Sequence, residues 1–352
     1  MWLRATFTTS CPRSGSACRP YGSTATASAT NLRRHASCRI SPSCPTHSMT
    51  SSLPDGFRAR DATPADLQVA ADIVRAEERS VRGESRWDAA DIVDFWRLAN
   101  FRGASWIVER GGIPVAFLAS LDRNGETHCW ASVHPDAEGR GLGIWLLERA
   151  EHRAQDVGSR RLQAGTFAEN AAAHALFGRL GYQDARHFYR MRIDLDSDPQ
   201  PPEWPAGIEA GAFRPEDARA FHQALQEAFS EEWGFHALSF DEWRRIRLEA
   251  PETDVSLWFI ARDGDEIAGV ARCEANRDGG GWIGAIGVRK AWRRRGVGLA
   301  LLRHAFREFH LRGDPHVGLG VDAENPTGAT RLYERAGMRV MNELVLYEKE
   351  LG

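Results

Sequence analysis

The chain has 352 residues, of which 42% are apolar, and a formal net charge of −3. This length allows two ordinary domains, and the apolar fraction is sufficient for folded cores, which excludes a wholly disordered protein. No run approaches 18 consecutive apolar residues, and this argues against a membrane-spanning helix. We therefore expect a soluble, cytoplasmic protein without a membrane partner.

The charge is unevenly distributed along the chain. Residues 1–48 contain six Arg and no Lys, Asp or Glu, so the remaining residues carry 39 Lys and Arg against 48 Asp and Glu, a net charge of −9. An acidic body does not favour general binding to nucleic acid, and we predict no such partner. Only Cys129 and Cys273 lie outside the first 48 residues, and the cysteines show no disulfide or metal-ligand spacing. We predict no metal site.

The first 48 residues form a separate compositional segment. They are rich in Ser, Thr, Arg and Pro and show no apolar periodicity, which predicts a disordered and dispensable leader. Their composition is also typical of an organellar transit peptide. The interpretation we favour is that the protein starts at Met49 and that the leader is an over-extended reading frame.

The elements of the first half follow in chain order. Phe57 opens a short strand, and Thr63 followed by Pro64 predicts the start of a helix that continues from Leu67. A second helix is predicted around residues 92–96. Residues 106–119 predict a hairpin that turns at Gly111 and Gly112.

The same order of landmarks returns in the second half. Pro64 corresponds to Pro215 at an offset of 151, and Asn170 corresponds to Asn325 at an offset of 155. Landmarks that return in the same order at nearly the same offset indicate two copies of one domain. Residues 196–206 lie between them and are rich in Pro and acidic residues, which is typical of a linker. We predict domains at 57–195 and 207–350, joined by this linker.

The second copy contains the most informative stretch, residues 282–309. A short apolar run with β-branched side chains is interrupted by Gly284 and Gly287, which predicts a buried strand with a bulge or a close backbone approach. A basic turn with Gly296 and Gly298 follows, and helical periodicity begins at Leu299. The free N–H groups and the positive dipole end of such a helix start favour an anion, most often a phosphate.

Glycine-rich turns have several explanations. No Gly-Lys-Ser/Thr follows, which argues against a P-loop, and no third glycine completes a dinucleotide fingerprint. A capped turn with a solvated arginine run stays an alternative. Arg293-x-x-Gly296-x-Gly298, however, resembles the Arg/Gln-x-x-Gly-x-Gly/Ala signature of the GNAT acetyltransferase superfamily. The later segment from Asn325 through Tyr333 to Gly337, which we predict to be a helix beginning near Asn325 and its stop, is also similar to that family's, with Met338 in place of its usual aromatic residue.

The resemblance covers roughly residues 57–350. It implies an α/β (α+β) fold of two tandem GNAT-like domains, each a mixed, mostly antiparallel sheet flanked by helices, distantly similar to double-GNAT proteins of the mycothiol synthase type. It further implies acetyl-CoA as co-substrate and a primary amine of a small molecule or peptide as acceptor. The alternatives are a non-catalytic CoA-binding regulatory or scaffolding protein, and an acyltransferase acting on a protein N-terminus or lysine. The oligomeric state is not predicted.

The resemblance also assigns roles to residues of the second copy. Tyr333 would be the general acid that protonates the departing thiolate of CoA. The general base is less defined: Glu274 is our candidate, and Asp322, Glu324, Glu231 and Glu232 stay open as alternatives. The residues implied to bind acetyl-CoA lie on the strand, in the turn and at the following segment: Ile286, Gly287, Val288, Arg293, Arg294, Arg295, Gly296, Val297, Gly298 and Asn325.

The first copy departs from the family pattern at two positions. Glu138 occupies the Arg/Gln position of the signature, where a carboxylate repels a pyrophosphate. Phe177 stands where the second copy has Tyr333, and a phenyl ring has no proton to donate. We therefore predict a degenerate first copy and catalysis in the second. The aromatic and acidic stretch 229–243 corresponds to the acceptor-site region of the family and would suit a cationic amine.

Overall fold

Alternating apolar side chains run along the central strands of the sheet, and a set of helices covers each face. A computed structural model describes residues 52–85, 89–251, 253–277 and 279–351; the predicted leader, 1–48, lies outside these residues. The strands of the first half are β1 (Phe57–Asp61), β2 (Trp106–Arg110), β3 (Ile113–Arg123), β4 (Glu126–Val133), β5 (Arg161–Phe167) and β6 (Gln183–Asp194). Those of the second half are β7 (Ile208–Ala212), β8 (Trp258–Asp263), β9 (Glu266–Arg277), β10 (Gly280–Val288), β11 (His316–Asp322) and β12 (Arg339–Glu350).

The helices repeat between the halves in the same way. The first half has α1 (Leu67–Arg82), α2 (Ala89–Leu98), α3 (Leu142–Asp156) and α4 (Ala171–Arg179). The second half has α5 (Ala218–Phe229), α6 (Phe240–Trp243, continued by a π-helical turn at Arg244–Leu248), α7 (Val297–Leu311) and α8 (Ala329–Arg335). A 3₁₀ turn at Pro64–Asp66 precedes α1, and another at Pro215–Asp217 precedes α5.

Local sequence signals explain several of these boundaries. Thr63 caps the turn that leads into α1, and Asp66 accepts a hydrogen bond from the backbone N–H of Thr63 at 2.9 Å. Gly111 and Gly112 adopt φ of +61° and +83° and connect β2 to β3, as the predicted hairpin requires. Other residues pay a steric cost at such angles.

The strands bury both faces because their alternate side chains enter different cores. Phe117 and Ala119 of β3 pack with the residues of α1 and α2, whereas Ala116 and Leu118 pack with those of α3. The second half repeats this division, with α5 on one face and α7 on the other. The predicted mixed, mostly antiparallel sheet flanked by helices is confirmed: among the strands that the structure describes, the pairs β4–β5 and β10–β11 are parallel and the other pairs are antiparallel.

The two halves exchange their last strands, which the sequence did not indicate. Within the described residues the twelve strands form one sheet in the order β1-β2-β3-β4-β5-β12-β6-β11-β10-β9-β8-β7. β12 of the second half therefore pairs with β5 of the first, and β6 of the first half pairs with β11 of the second. Leu344 and Leu346 of β12 enter the core of the first half, and Met191 of β6 enters that of the second. The division at 57–195 and 207–350 stays a proposal about the two copies in the sequence.

This exchange predicts how the protein behaves when its linker is cut. Residues 196–206 contain neither helix nor strand, so a protease site can be inserted there. Because each piece keeps a strand in the other's sheet, we expect the cut protein to elute from a gel-filtration column as one particle with the retention volume of the intact chain. Elution as two separate pieces under native conditions would contradict the exchange.

Candidate active site

The site begins where β10 and β11 separate. The two strands pair only between Gly281–Ile283 and Val317–Leu319, and β10 has a register shift against β9 between Ile283 and Ala285. Beyond that shift, residues 285–288 continue to pair with β9 but diverge from β11. The backbone edge of Ile286, Gly287 and Val288 is thus directed toward the opening between the strands.

The two glycines of β10 make room for different neighbours. A Cβ at Gly284 would lie 2.6 Å from Nη2 of Arg272 and 2.6 Å from Oε1 of Glu274, so the bulge sits above this ion pair. A Cβ at Gly287 would lie 2.6 Å from the Cβ of Ala228, where the end of α5 packs on the strand. The predicted bulge is found at Gly284, and the close backbone approach at Gly287.

The turn after β10 presents backbone N–H groups at the start of α7. Arg294 and Gly296 adopt φ of +61° and +92°, and the first bond of the helix runs from the N–H of Ala300 to the carbonyl of Gly296 at 3.1 Å. The N–H groups of Val297, Gly298 and Leu299 precede that bond and have no partner within the helix. Together with the helix dipole they fit an anionic group such as a pyrophosphate.

Arg293 stabilises the turn through its side chain. Its guanidinium donates to the carbonyl oxygens of Val288 at 3.2 Å and Ala228 at 3.0 Å, and to Glu231 at 2.5 Å. These bonds connect the end of β10, the end of α5 and the following loop. Any part that Arg293 has in phosphate binding would therefore come from its backbone.

Gly298 packs against α8. A Cβ at this position would lie 3.0 Å from Cδ2 of Leu332 and 3.5 Å from Cγ2 of Val288. In the first half, a Cβ at Gly143 would likewise lie 2.9 Å from Cδ2 of Leu176. At both positions, the absence of a side chain lets the helix after the signature turn pack closely against the short helix that follows it in the chain.

We predict that Gly298→Val and Gly143→Val each lower the free energy of unfolding by about 1–3 kcal/mol, because the added side chain overpacks a helix contact. Only Gly298→Val should also lower turnover, since Leu332 precedes Tyr333. Thermal unfolding and turnover below the transition would test both. An unchanged melting temperature in Gly298→Val, or loss of turnover in folded Gly143→Val, would contradict this assignment.

A cavity of about 140 Å³ lies between the separated strands and the loop after α5. Its wall combines aromatic side chains with a few polar groups. The aromatic residues are Phe188, Phe229, Trp233, Phe235, Trp243, Trp282 and Tyr333, and the polar ones are Gln226, Glu232, Arg247, Arg272, Asp322 and Asn325. An apolar cavity with a few polar groups is the usual form of a small-molecule site.

Tyr333 is buried on α8 at this cavity. Burial, and secondarily the nearby Glu232, raise the pKa of its phenol above the usual value, so the hydroxyl keeps its proton at neutral pH. The sequence-based expectation of a helix beginning near Asn325 is wrong: α8 begins at Ala329, and Gly328 donates to the carbonyl of Asn325 in a turn before it. The side-chain oxygen of Asn325 accepts a hydrogen bond from the backbone N–H of Thr327. Asn325 therefore caps this turn and does not cap the start of a helix.

Glu232 has the properties of a base. It is partly buried in the cavity wall and accepts a hydrogen bond from Nδ2 of Asn325 at 3.1 Å. Burial raises the pKa of Glu232 to about 7, and the charge of Asp322 acts in the same direction. A carboxylate with such a pKa exchanges protons readily near neutral pH.

The other four carboxylates considered as bases are each paired with an arginine. Glu274 accepts from Arg272 at 2.5 Å, and Glu231 accepts from Arg293. Asp322 and Glu324 both accept from Arg186. These ion pairs occupy the four carboxylates, and the bonds from Arg293 and Lys290 also lower the pKa of Glu231, which weakens that carboxylate as a base.

The first half has its own cavity, with a volume of about 540 Å³. It is lined by the turn from Glu138 to Gly143 and by Glu77, Ser132, Asn170 and Phe177. Glu77 accepts from Nδ2 of Asn170 at 3.0 Å, and burial raises the pKa of Glu77 to about 7. Each half therefore holds a partly buried glutamate against its corresponding asparagine, but the ring of Phe177 stacks on Tyr347 at 4.6 Å and carries no hydroxyl.

Two further observations concern ligands and membranes. Among the residues that the structure describes, no group of three or more His, Cys, Asp or Glu could hold a metal ion; the absence of a metal stays a prediction. In the same part of the chain, every helix is too short or too polar to cross a membrane.

Comparison with known proteins identifies the family of this chain. The model of the acetyltransferase (GNAT) family matches residues 69–182 and, separately, residues 218–338. The chain belongs to the GNAT acetyltransferase family. The predicted tandem arrangement and the predicted enzyme class, a GNAT acyltransferase, are both confirmed by these two matches.

Similar proteins also contain two such domains or span most of this chain. A mycothiol acetyltransferase from Thermobispora bispora is 28% identical over 254 residues, which cover 70% of this chain and 84% of that protein. One from Streptomyces scabiei is 31% identical and covers 62% and 70%. A GCN5-related N-acetyltransferase from Sphaerobacter thermophilus superposes with a TM-score of 0.75 at 35% identity, covering 85% of this chain and 97% of that one. A tandem GNAT protein from the clavulanic acid biosynthesis pathway shares the fold, with a TM-score of 0.64 at 19% identity and coverage of 84% and 99%.

Proposed function

We propose that the second half of this N-acetyltransferase transfers an acetyl group from acetyl-CoA to the primary amine of a small molecule. The observation that carries the proposal is the position of Glu232 and Tyr333 in the wall of one cavity, at the opening between β10 and β11. The relatives that are mycothiol acetyltransferases support an acceptor amine of this size.

Acetyl-CoA supplies the acetyl group as a thioester. The N–H groups of Val297, Gly298 and Leu299 would hold its pyrophosphate, and the open edge of Ile286–Val288 would pair with its pantetheine arm. We keep Arg294 and Arg295 as further phosphate partners, since both lie on the exposed side of the turn. Asn325, proposed from the sequence as a CoA contact, has an additional role in orienting Glu232.

The reaction forms a C–N bond and breaks a C–S bond, so one proton must leave the amine and one must reach the sulfur. Glu232 takes the amine proton, because its pKa of about 7 lets it be ionised at neutral pH and accept a proton during the reaction. Tyr333 donates its phenolic proton to the departing sulfur. We propose Glu232 as the base in place of Glu274, since the Glu274 carboxylate is paired with Arg272.

A panel of amines tested with acetyl-CoA and with longer acyl-CoAs, following thiol release, examines this function. We expect release with acetyl-CoA and small primary amines that carry a ring or apolar group to fill the aromatic cavity. Tight CoA binding without release for any amine would favour a regulatory protein. Release with peptides or lysine-containing proteins alone would favour a protein acyltransferase.

A further inference from the structure

The exchanged strand β6 brings side chains of the first half to the cavity of the second. β6 pairs with β11 in a register that places Phe188 opposite Asp322, and the N–H of Ala323 donates to the carbonyl of His187 at 2.9 Å. Residues two apart on a strand share a face, so Arg186 lies on the same side as Phe188. Phe188 itself lines the cavity.

Arg186 makes two kinds of contact with this cavity wall. Its guanidinium donates to Asp322 through Nε at 3.0 Å and Nη2 at 2.8 Å, and to Glu324 through Nη1 at 2.8 Å. Its central carbon lies 5.5 Å from the ring centroid of Trp233. The Arg186 and Asp322 side chains are only 16% and 11% exposed, and charge-assisted bidentate bonds in such a setting fix geometry strongly.

Two side chains of β6 contact the ring of Trp233. The ring of Phe188 lies 6.3 Å from that of Trp233 at an angle of 58°, and Arg186 packs over the Trp233 face. Trp233 follows Glu232 directly in the loop after α5, and both line the cavity. The position of Trp233 therefore affects the backbone that carries the proposed base.

We propose that Arg186 is a positioning residue of the acceptor site, which fixes the Asp322 carboxylate and the Trp233 ring beside Glu232. The proposal rests on the function proposed above and extends it, because a residue of the half for which we predict no catalysis then controls how the proposed catalytic half receives its acceptor. Neither sequence copy contains this arrangement by itself, since Arg186 precedes the linker and Asp322 follows it.

The charge of Arg186 also affects Glu232. The groups that act on Glu232 are Asn325 through a hydrogen bond, and Asp322, Arg293 and Tyr333 through their proximity. Arg186 offsets the negative charge of Asp322. Without it, the unpaired Asp322 would raise the pKa of Glu232 further, and a smaller fraction of the base would be ionised at pH 7.

Steady-state kinetics of Arg186→Gln and Arg186→Lys, with Arg192→Gln as control, test the proposal. Arg192 lies on the same strand and pairs with Asp194 at 2.5 Å, with a similar exposure of 20%, but it does not line the cavity. In Arg186→Gln we expect kcat/KM for the amine to fall about 10- to 100-fold at pH 7, as misplacement of a site wall allows, and the acidic limb of the pH–rate profile to move to higher pH. The affinity for CoA should stay within about twofold of wild type.

The second variant separates charge from shape. Arg186→Lys keeps the positive charge beside Asp322 but loses the planar, two-pronged geometry. We expect it to restore the position of the acidic limb while kcat/KM for the amine stays below the wild-type value. Wild-type kinetics in Arg186→Gln, or an equal loss in Arg192→Gln, would overturn the proposal.

A crystal structure of Arg186→Gln gives a readout that does not require turnover. The proposal predicts that the Asp322 carboxylate and the Trp233 ring shift relative to the wild-type crystal structure, while β10 and the turn at 293–298 keep their positions. If no amine is a substrate of the wild-type protein, the proposed function fails, but the positions of the Asp322 carboxylate and the Trp233 ring still test whether Arg186 is a positioning residue. Unchanged positions of both groups in Arg186→Gln would refute that role.

Discussion

Replacement of Tyr333 by Phe should lower turnover by about 10² to 10⁴, the range that a positioned general acid contributes. The ring stays and the hydroxyl is lost, so the packing of α8 against the sheet should survive. Tyr333 is buried at the cavity beside Glu232, and the raised pKa of its phenol keeps the proton available at neutral pH. Turnover should be measured with saturating acetyl-CoA under conditions in which chemistry limits the rate.

Tyr347→Phe is the matched control for this variant. Tyr347 of β12 also carries a hydroxyl against a helix, α4 of the first half, where it bonds to Nδ1 of His174 at 2.6 Å, but it lies in the core of the first half. We expect normal turnover from Tyr347→Phe and nearly unchanged CoA affinity in both variants. Wild-type turnover in Tyr333→Phe would remove the general acid from this scheme and would reopen the question of which half is active.

The sequence predicted the local elements and the signature turn because these depend on neighbouring residues. The hairpin at Gly111–Gly112, the start of a helical segment at Pro64 and the bulge at Gly284 each follow from backbone preferences that a single residue can impose. The helix after Asn325 was placed too early, because the Asn325 side chain caps a separate turn before Gly328. The same residue type at Asn170 does cap a helix, through the N–H of Ala173 at 3.0 Å.

The strand exchange could not be predicted from the sequence, for a physical reason. β6 and β12 are both long, apolar on alternate positions and preceded by a short helix, so either strand can satisfy the hydrogen bonds of β5 or β11. Which pairing forms depends on contacts between residues more than 100 positions apart, such as Arg186 with Asp322. For the same reason the sequence did not indicate that Arg186 and Phe188 belong to the site of the other half.

The choice of base also required the fold. Five carboxylates lay within reach of the site in the sequence, and their types do not distinguish them. Arginines pair with four of them. Arg272 of the same strand pairs with Glu274, and arginines from distant segments pair with the others: Arg186 with Asp322 and Glu324, and Arg293 with Glu231. Glu232 is distinguished by its asparagine partner and its burial, which are both properties of the folded chain.

Glu232→Gln should therefore lower kcat by about 10² to 10⁴, because the amide cannot accept the amine proton. In wild type, the rate should rise with pH through about 7 as Glu232 ionises, and this acidic limb should be absent from the residual activity of the variant. The substitution keeps a side-chain oxygen for the N–H₂ group of Asn325. A pH–rate profile of both proteins at saturating acetyl-CoA measures the effect.

Glu77→Gln in the first half is a close control, since Glu77 has the same pKa of about 7, the same cause and an asparagine partner. Because burial raises both pKa values above the ordinary value for a glutamate, each carboxyl favours the folded state at low pH, and this contribution is lost as the pH rises from about 4.5 through 7. Either variant should then lose less stability than wild type between pH 5 and pH 8, as thermal unfolding can show.

Of these two variants, only Glu232→Gln should lose activity. A Glu232→Gln enzyme with full turnover and an intact acidic limb would assign the base to another group, and an equal loss of turnover in Glu77→Gln would show that both halves take part in the reaction.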